Sequence, residues 1–320
     1  MTLEPIVPFE PVATGDYPAD GEWTAQIKWD GVRILTYCQG GEVRLFNRRL
    51  NERTLQFPEL TADPASYCSA GSFVLDGEMI AFESGKPSFH EVMRRDGVKS
   101  AARVAEARRA VPVTYMIFDV LYCNGEWVTG RPLRERLSLL EGIVKPSEGI
   151  QVVAGYDNPA DLFKVAERHE LEGIVMKELG SKYAIGGKDK RWLKKKIYQD
   201  LIAVVGGVTY RAGIVNALLL GLYDEAGSLW YIGHAGGGRV KAAEWRTLTE
   251  WVAPLKVPRK PFVNRPERMK DAHWLAPVVT VKIKYLEWTA GWAVRQPSIE
   301  AFVETPPHTC TFSQVTGVRS

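Results

Sequence analysis

The chain has 320 residues, of which 45% are hydrophobic and 25% charged, and a formal net charge of +3. This length favours two domains over one, and the composition excludes a disordered chain. No apolar run approaches the roughly 18 to 20 residues of a membrane span, and the start lacks a signal-peptide pattern. Four scattered cysteines and five histidines show no paired metal-ligand spacing. We therefore predict a cytoplasmic protein with reduced thiols and no structural zinc.

Up to about residue 198 the chain alternates strand-like and helix-like segments. The Gly40-Gly41 pair separates strand-like residues 24–38 from residues 42–47 and predicts a hairpin. Further strands, rich in β-branched and aromatic residues, are predicted at 73–82, 113–123 and 173–177. Helices are predicted at 88–97, with Ser88 as N-cap, and at 98–110, 132–144 and 158–170. The pattern is typical of an α+β domain.

After residue 196 the pattern changes to strands joined by glycine-rich turns. The strand-like segments are residues 201–210, 216–236 and 276–289, and one helical segment lies at 242–253. About 120 residues of this kind suit a small barrel such as the OB-fold, a common nucleic-acid platform. We predict two domains, residues 1–198 and 199–320, with a boundary near Tyr198.

The most specific motif is the hexapeptide from Lys28 to Arg33, which has the pattern KxDGxR. It resembles the nucleotide-attachment motif of the covalent nucleotidyltransferases, which comprise ATP-dependent DNA ligases, RNA ligases and mRNA capping enzymes. Segments resembling the other motifs of this group follow in order: Asn47-Arg48-Arg49, Asp76-Gly77-Glu78, Phe118-Asp119, Glu172 to Lys177, and Trp192 to Lys196. Coincidence is a poor explanation for five ordered matches.

The resemblance continues into the second half of the chain. Residues 221–238 and 284–302 are similar to OB-domain segments of bacterial end-joining ligases. The resemblance implies an α+β fold, with a nucleotidyltransferase domain on an ATP-grasp-like antiparallel sheet, followed by an OB-fold β-barrel. One motif departs from the family: where an RxDK-type sequence is expected near the end, residues 303–306 read Val-Glu-Thr-Pro. Because that motif orients pyrophosphate, we predict slow adenylation by ATP relative to sealing of pre-adenylated nicks.

Lys28 is the nucleophile that the resemblance implies, carrying AMP covalently from ATP. A lysine amine attacks phosphorus only when neutral, and nearby positive charges, partial burial or a divalent metal favour that form. Lys194 and Lys196 occupy alternate positions of a strand, so their side chains point to one side. We predict that both face the α-phosphate and stabilise its developing charge. A basic, exposed strand is the alternative.

Two carboxylates and three further residues complete the expected nucleotide site. The resemblance implies that Glu172 ligates Mg²⁺ or Mn²⁺ and that Glu78 bonds the ribose hydroxyls, and Glu78 is also a candidate metal ligand. Phe118 is expected to stack on adenine, with Val175 closing the other side. Gln26 occupies a place where related ligases often carry a glutamate near the base edge. For Phe118 alone, a core position is the alternative.

Arginines are the candidates for contact with phosphate. Arg33 and Arg48 are predicted to contact the bound nucleotide and to hold the 5′-phosphate of a nick, since a guanidinium binds two phosphate oxygens at once. A set of basic residues could clamp the duplex backbone without reading sequence, or could form a solvated face: Arg94, Arg95, Lys99, Arg103, Arg108, Arg109, Lys282 and Lys284.

The sequence thus predicts an ATP-dependent DNA ligase that seals nicks or ends in double-stranded DNA during repair or end joining. A monomer associated with the nucleoid is expected, and a Ku-like end-binding protein or a repair polymerase would be a consistent partner. Two alternatives stay open. One is an RNA ligase or capping-type nucleotidyltransferase, and the other is a non-catalytic OB-fold module that only binds nucleic acid.

Overall fold

The computed structural model describes residues 3–238, 240–267, 269–289 and 291–315. The chain divides into two compact units, Met1–Ile197 and Tyr198–Ser320. Within the described ranges, none of the helices combines the length and the apolar character needed to cross a membrane.

The first unit mixes strands with short helices. Its strands are β1 (Glu10–Ala13), β2 (Trp23–Ile27), β3 (Val32–Gln39), β4 (Glu42–Asn47), β5 (Phe73–Glu83), β6 (Lys86–Pro87), β7 (Val113–Cys123), β8 (Glu126–Trp127), β9 (Ile150–Val152), β10 (Gly173–Glu178) and β11 (Lys188–Lys196). Its helices are α1 (Pro58–Thr61), α2 (Phe89–Asp96), α3 (Ala101–Ala110), α4 (Leu133–Ile143) and α5 (Pro159–Arg168). The predicted N-cap of α2 is confirmed, since the Ser88 side chain accepts a hydrogen bond from the Glu91 amide.

Two sheets form the framework of this unit. The larger sheet has the order β4-β3-β5-β7-β8, and the smaller one β1-β11-β10-β2. Most pairs are antiparallel, whereas β1 with β11 and β7 with β9 are parallel. Helices α2 and α4 pack on β5 and β7 of the larger sheet, and α5 packs on β10 of the smaller one. The main apolar cluster of the larger sheet includes Ile34, Leu45, Phe73, Ile117 and Leu140.

The predicted strand over residues 24–38 is wrong in one respect. It is interrupted at residues 28–31, and its two parts, β2 and β3, belong to different sheets. Gly31 is the reason that the chain can cross here, because a Cβ atom at this position would collide with the carbonyl oxygen of Met79. The predicted hairpin of β3 and β4 is confirmed, with Gly40 and Gly41 at φ values of 60° and 81°.

The second unit is a curved sheet with one α-helix among its described residues. Its strands are β12 (Gln199–Arg211), β13 (Ile214–Tyr223), β14 (Leu229–Ala235), β15 (His273–Tyr285) and β16 (Ser298–Val303), and its helix is α6 (Ala242–Val252). The sheet order is β14-β13-β12-β15-β16, and a bridge from Gly238 to Ile299 brings the two edges together. Val204, Leu220 and Val281 lie in its core. The strand order and this bridge agree with the small barrel that the sequence predicts for this unit.

Candidate active site

Lys28 lies at the point where the chain leaves the smaller sheet. Its backbone N–H donates to the carbonyl oxygen of Gly173 at 2.9 Å, which fixes it beside the start of β10. Its ammonium group is bonded to Glu172, and the other carboxylate oxygen of Glu172 accepts a hydrogen bond from Lys196 Nζ at 2.8 Å. The Glu172 side chain is only 7% exposed. The structure thus brings together the predicted nucleophile, one predicted metal ligand and one predicted phosphate-binding lysine.

The register of the smaller sheet explains why these residues share one face. Val175 in β10 lies opposite Gln26 in β2 and Lys194 in β11, and Gly173 lies opposite Lys196. Directly opposed residues present their side chains on the same face of a sheet. Gln26, Val175 and Lys194 therefore form a row beside the cluster around Lys28.

Two carboxylates of the cluster differ in protonation. Burial raises the pKa of Glu78 to about 8, although Lys28 and Arg33 act in the opposite direction. Burial also acts on Glu172, but the positive charges of Lys28 and Lys196 outweigh it and lower the pKa of that carboxyl group. At neutral pH the site therefore holds one neutral and one ionised carboxyl group.

The donor set fits a divalent metal bound together with nucleotide. Mg²⁺ and Mn²⁺ prefer oxygen ligands and commonly bind one or two carboxylates plus substrate phosphates. Among the described residues, no cluster of three or more His, Cys, Asp or Glu side chains is suited to a metal on its own. Glu172 and Glu78 can supply two ligands, and phosphate oxygens would supply others.

In the row formed by Gln26, Val175 and Lys194, the side chain of Gln26 has a hydrogen-bond acceptor, Oε1, that is not satisfied by any described residue. Its side chain is buried, and Nε2 donates to the carbonyl oxygen of Val153 at 3.0 Å. The buried Oε1 atom has no hydrogen-bond partner among the described residues. Because Val153 fixes the orientation of the amide, the side chain offers an acceptor, which matches an exocyclic amino group of a base.

Phe118, on β7 of the larger sheet, lies close to residues of the smaller sheet. Its ring meets the indole of Trp192 edge to face, with centroids 6.1 Å apart. The Lys177 ammonium lies over the Phe118 ring, 4.3 Å from the centroid. Phe118 is partly exposed, so it can pack against its neighbours and also contact a base.

Two family descriptions match this chain. The one named "ATP dependent DNA ligase domain" matches residues 17–196, and the one named "ATP dependent DNA ligase C terminal region" matches residues 211–304. The chain belongs to the ATP-dependent DNA ligase family. Lys28, Glu172, Lys194 and Lys196 all lie within the first matched range.

Several proteins named as DNA ligases are similar to this chain. A DNA ligase of Pyrobaculum neutrophilum is 29% identical over 314 residues, covering 92% of this chain and 50% of that protein. The multifunctional non-homologous end joining DNA repair protein LigD of Mycobacterium tuberculosis is 30% identical over 286 residues, covering 87% of this chain and 35% of that protein. The chain thus spans half or less of the length of these relatives. A solved mycobacterial DNA ligase D complexed with ATP and MES has 28% identity and a TM-score of 0.51, covering 96% of this chain and 98% of that one.

Arg33, which the sequence predicts to hold a phosphate, lies in a buried ion pair. Its side chain is only 11% exposed and forms a two-pronged ion pair with the fully buried Asp76, at 2.8 and 2.6 Å. It also donates to the carbonyl oxygen of Phe9 at 2.7 Å, and Asp76 accepts a further bond from the Tyr183 hydroxyl. This geometry does not support a contact with nucleotide or with a DNA 5′-phosphate, because the guanidinium already holds a buried carboxylate.

Unlike Arg33, Arg48 is exposed and is held only by a surface ion pair. It lies in the turn after β4, its side chain is 55% exposed, and it pairs with Glu10 at 3.3 Å. An exposed ion pair of this kind is weak and easily exchanged for a phosphate. Arg48 therefore stays a candidate for the 5′-phosphate.

The predicted basic clamp is only partly available. Arg95 is fully buried and bonded to Glu59, and so it is not part of a surface. Lys282 and Lys284 pair with Asp200 and Glu300. Exposed basic residues of the α2 and α3 region include Lys99, Arg103 and Arg109.

Sequence reasoning did not predict that Lys177, Asp119 and Arg136 are buried close to Phe118. Lys177 is 2% exposed, and Asp119 forms a fully buried ion pair with Arg136 at 2.8 and 2.9 Å. The available signal was the presence of charged residues within otherwise apolar strands, since burial of a charge requires a specific partner.

Proposed function

We propose that this chain is an ATP-dependent DNA ligase that seals nicks or ends in double-stranded DNA through an adenylate on Lys28. The first unit would carry out adenylation, over residues 1–198, and the OB-fold unit, residues 199–320, would hold DNA. The observation that supports this most is the meeting of Lys28, Glu172 and Lys196 at one end of the smaller sheet, with Glu78 beside them.

The first step would be attack of the Lys28 amine on the α-phosphorus of ATP. A P–N bond forms, the bond to pyrophosphate breaks, and the lysine gives up its proton to solvent. The Lys28 ammonium is bonded to Glu172, a contact that the sequence did not reveal. A metal held by Glu172 and Glu78 would engage that carboxylate and neutralise phosphate charge. Lys194 and Lys196 would stabilise the charge that develops on the α-phosphate.

Lys194 and Lys196 would serve the later steps as well. AMP passes from Lys28 to the 5′-phosphate of DNA, and the 3′-hydroxyl then displaces AMP and closes the strand. Each step is an attack on phosphorus, on the AMP phosphorus in the first two steps and on the DNA 5′-phosphorus in the third, so negative charge develops on phosphate oxygens each time. Burial and the charges of Lys196 and Lys28 lower the pKa of Lys194, which is consistent with crowding of cations around a phosphate site.

The base end of the site favours ATP over GTP. The Oε1 atom of Gln26 would accept a hydrogen bond from the adenine amino group, whereas guanine presents a carbonyl oxygen at that position. Phe118 and Val175 would enclose the base. Loss of the acceptor in Gln26→Ala should therefore reduce the preference for ATP over GTP in a labelling assay.

The decisive experiment is incubation with α-³²P-labelled ATP or GTP and Mg²⁺ or Mn²⁺, followed by a denaturing gel and mapping of the labelled residue. We expect label from ATP on Lys28, none in Lys28→Ala, and normal labelling in Lys182→Ala, where an exposed lysine of the same unit is removed. Lys28→Ala should still seal a pre-adenylated nick. Failure of the wild type both to take label and to seal that nick would exclude the proposal.

The same assay separates the alternatives. Labelling by GTP would indicate a capping-type enzyme, sealing of nicked RNA but not nicked DNA would indicate an RNA ligase, and binding without either reaction would indicate a non-catalytic module. We favour DNA because the M. tuberculosis relative is named a non-homologous end joining DNA repair protein.

We further propose action as a monomer associated with the nucleoid, with a Ku-like end-binding protein or a repair polymerase as partner. The similarity to LigD supports a role in end joining. Joining of linear DNA with and without an added Ku-like protein would test this partner. An unchanged yield of joined ends would exclude it.

A further inference from the structure

Lys177 lies at the junction of the two sheets of the first unit, beneath the ring of Phe118. Its Nζ atom is 4.3 Å from the centroid of the Phe118 ring and 4.1 Å from that of the Trp192 ring. The same atom donates a hydrogen bond to the Phe118 carbonyl oxygen at 3.3 Å. One ammonium group therefore contacts both the backbone and the ring of Phe118. A cation over an aromatic face attracts the ring electrostatically, most strongly where water is excluded.

The charges around Lys177 come from strands β3, β5 and β7 and from helix α4. Asp76 and Asp119 are each already bonded by an arginine, Arg33 and Arg136 respectively. Burial lowers the pKa of Lys177 to about 7; the two aspartates oppose this effect, and the two arginines add to it. The hydroxyl of Tyr183 is bonded to Asp76. Lys177 therefore changes its charge near neutral pH, in a setting where its neighbours already form pairs.

We propose that Lys177 is a positioning residue for the adenine site, holding the Phe118 ring in place for stacking, so that affinity for ATP depends on the charge of this lysine. The proposal rests on the proposed function, in which Phe118 stacks on the base. The Arg33 guanidinium also lies over this ring, with Cζ 5.2 Å from its centroid, but it is held by Asp76 and is charged at every pH tested. The part of the cation–ring attraction that changes with pH therefore comes from Lys177. Loss of the charge removes the attraction that orients the ring, while the phosphate end of the site around Lys28 is unchanged.

The direction of the pH dependence follows from the sign of the charge. Below about pH 7 Lys177 is an ammonium and the ring is held, so ATP binds most tightly. As pH rises from 7 towards 8.5 the amine becomes neutral and affinity falls. ATP and Glu78 also change protonation in this pH range. Their contribution to the pH dependence of ATP binding should be the same in wild type and in a variant at position 177. A comparison of variants therefore isolates the contribution of Lys177.

The test compares wild type with Lys177→Met and Lys177→Arg in the full chain. Equilibrium ATP binding is measured by calorimetry without divalent metal between pH 6 and 8.5, and the KM for ATP and the rate of adenylation at saturating ATP are measured with metal. At pH 6, Lys177→Met should weaken ATP binding on the order of 10-fold. The KM should rise by a similar factor with little change in the saturated rate. The difference in ATP affinity between wild type and Lys177→Met should be smaller at pH 8.5.

The arginine variant and a matched control complete the design. Lys177→Arg, charged at every pH tested, should flatten the pH dependence of binding. Lys195 lies on the opposite face of β11, with its ammonium 4.9 Å from the Tyr17 ring centroid and 5.2 Å from that of Phe163. Lys195→Met thus removes a similar cation–aromatic contact away from the site and should behave as wild type. Thermal unfolding at pH 8.5 checks that Lys177→Met is folded.

The outcomes separate this inference from the function on which it rests. If Lys177→Met binds ATP as tightly as wild type at pH 6, or is weakened equally at pH 6 and pH 8.5, the positioning role is excluded. A fall in the saturated rate with unchanged KM would also exclude it. If the wild type binds ATP but neither forms an adenylate nor seals a pre-adenylated nick, the proposed function fails, while a charge-dependent affinity would still support the role of Lys177. Absence of ATP binding, with and without metal, would exclude the positioning role.

Discussion

Replacement of Glu78 by glutamine should stabilise the protein at alkaline pH in the absence of metal. The carboxyl group lies on β5, and burial raises its pKa from 4.5 to about 8. In the unfolded chain the group ionises near pH 4.5, whereas in the folded chain it keeps its proton until about pH 8. The folded state therefore binds more protons between these values, and its stability relative to the variant falls as pH rises through this window.

The size of this stability difference follows from the shift in the pKa of Glu78 on folding. Each pH unit corresponds to about 1.4 kcal/mol, so the ionised carboxylate should cost the folded state about 3 to 5 kcal/mol above pH 8. Glu78→Gln removes this cost, because the amide is neutral at every pH. We expect the free energy of unfolding of Glu78→Gln to exceed that of wild type by this amount at pH 9 and to match it near pH 4.5.

Urea unfolding of the metal-free protein, with a chelator present, measures this difference at pH 5, 7 and 9. Glu42→Gln is a suitable control, since Glu42 is exposed at the β3–β4 turn. Added Mn²⁺ or Mg²⁺ should stabilise wild type at pH 9 more than Glu78→Gln, because the ionised carboxylate is the better ligand. Parallel pH profiles for wild type and Glu78→Gln would refute the reasoning.

Three further results are expected. Asp76→Asn should lower the free energy of unfolding by about 3 to 5 kcal/mol, because it leaves the buried guanidinium of Arg33 without a carboxylate. Urea titration measures this loss, and a loss below about 1 kcal/mol would contradict the prediction. Arg48→Ala should weaken binding to nicked DNA and reduce the slope of affinity against salt by about 1, without changing adenylation; an unchanged slope would exclude the phosphate contact. Single-turnover kinetics should show slower adenylation by ATP than sealing of a pre-adenylated nick, because residues 303–306 lack the RxDK-type sequence, and equal rates would contradict this.

Local patterns were sufficient to predict most elements but not where they join. Apolar periodicity runs on from β2 into β3, so residues 24–38 read as a single strand. The break depends on a tertiary contact, the approach of the Met79 carbonyl to Gly31, which no local pattern contains. By contrast, the Ser88 cap and the Gly40-Gly41 turn act through neighbouring backbone atoms, and the sequence was enough to predict them.

The same distinction applies to the site. The grouping of Lys194 with Lys196 follows from strand alternation, which is a local property. The pairing of Arg33 with Asp76 was not predicted, because Asp76 is 43 residues away and becomes a neighbour only through the register of β3 with β5. Lys177 was missed because a lysine in a strand usually indicates an exposed position, and only the packed rings of Phe118 and Trp192 show that it is buried.

The chain crosses between sheets at residues 28–31, so the residues of the proposed adenylation site come from two different sheets. Glu78 and Phe118 belong to one layer, whereas Gln26, Val175 and Lys194 belong to the other. A nucleotide that contacts residues of both sheets would stabilise the packing of one sheet against the other. Occupancy should then protect backbone amides from hydrogen exchange deep inside both sheets, well away from any atom that touches the ligand.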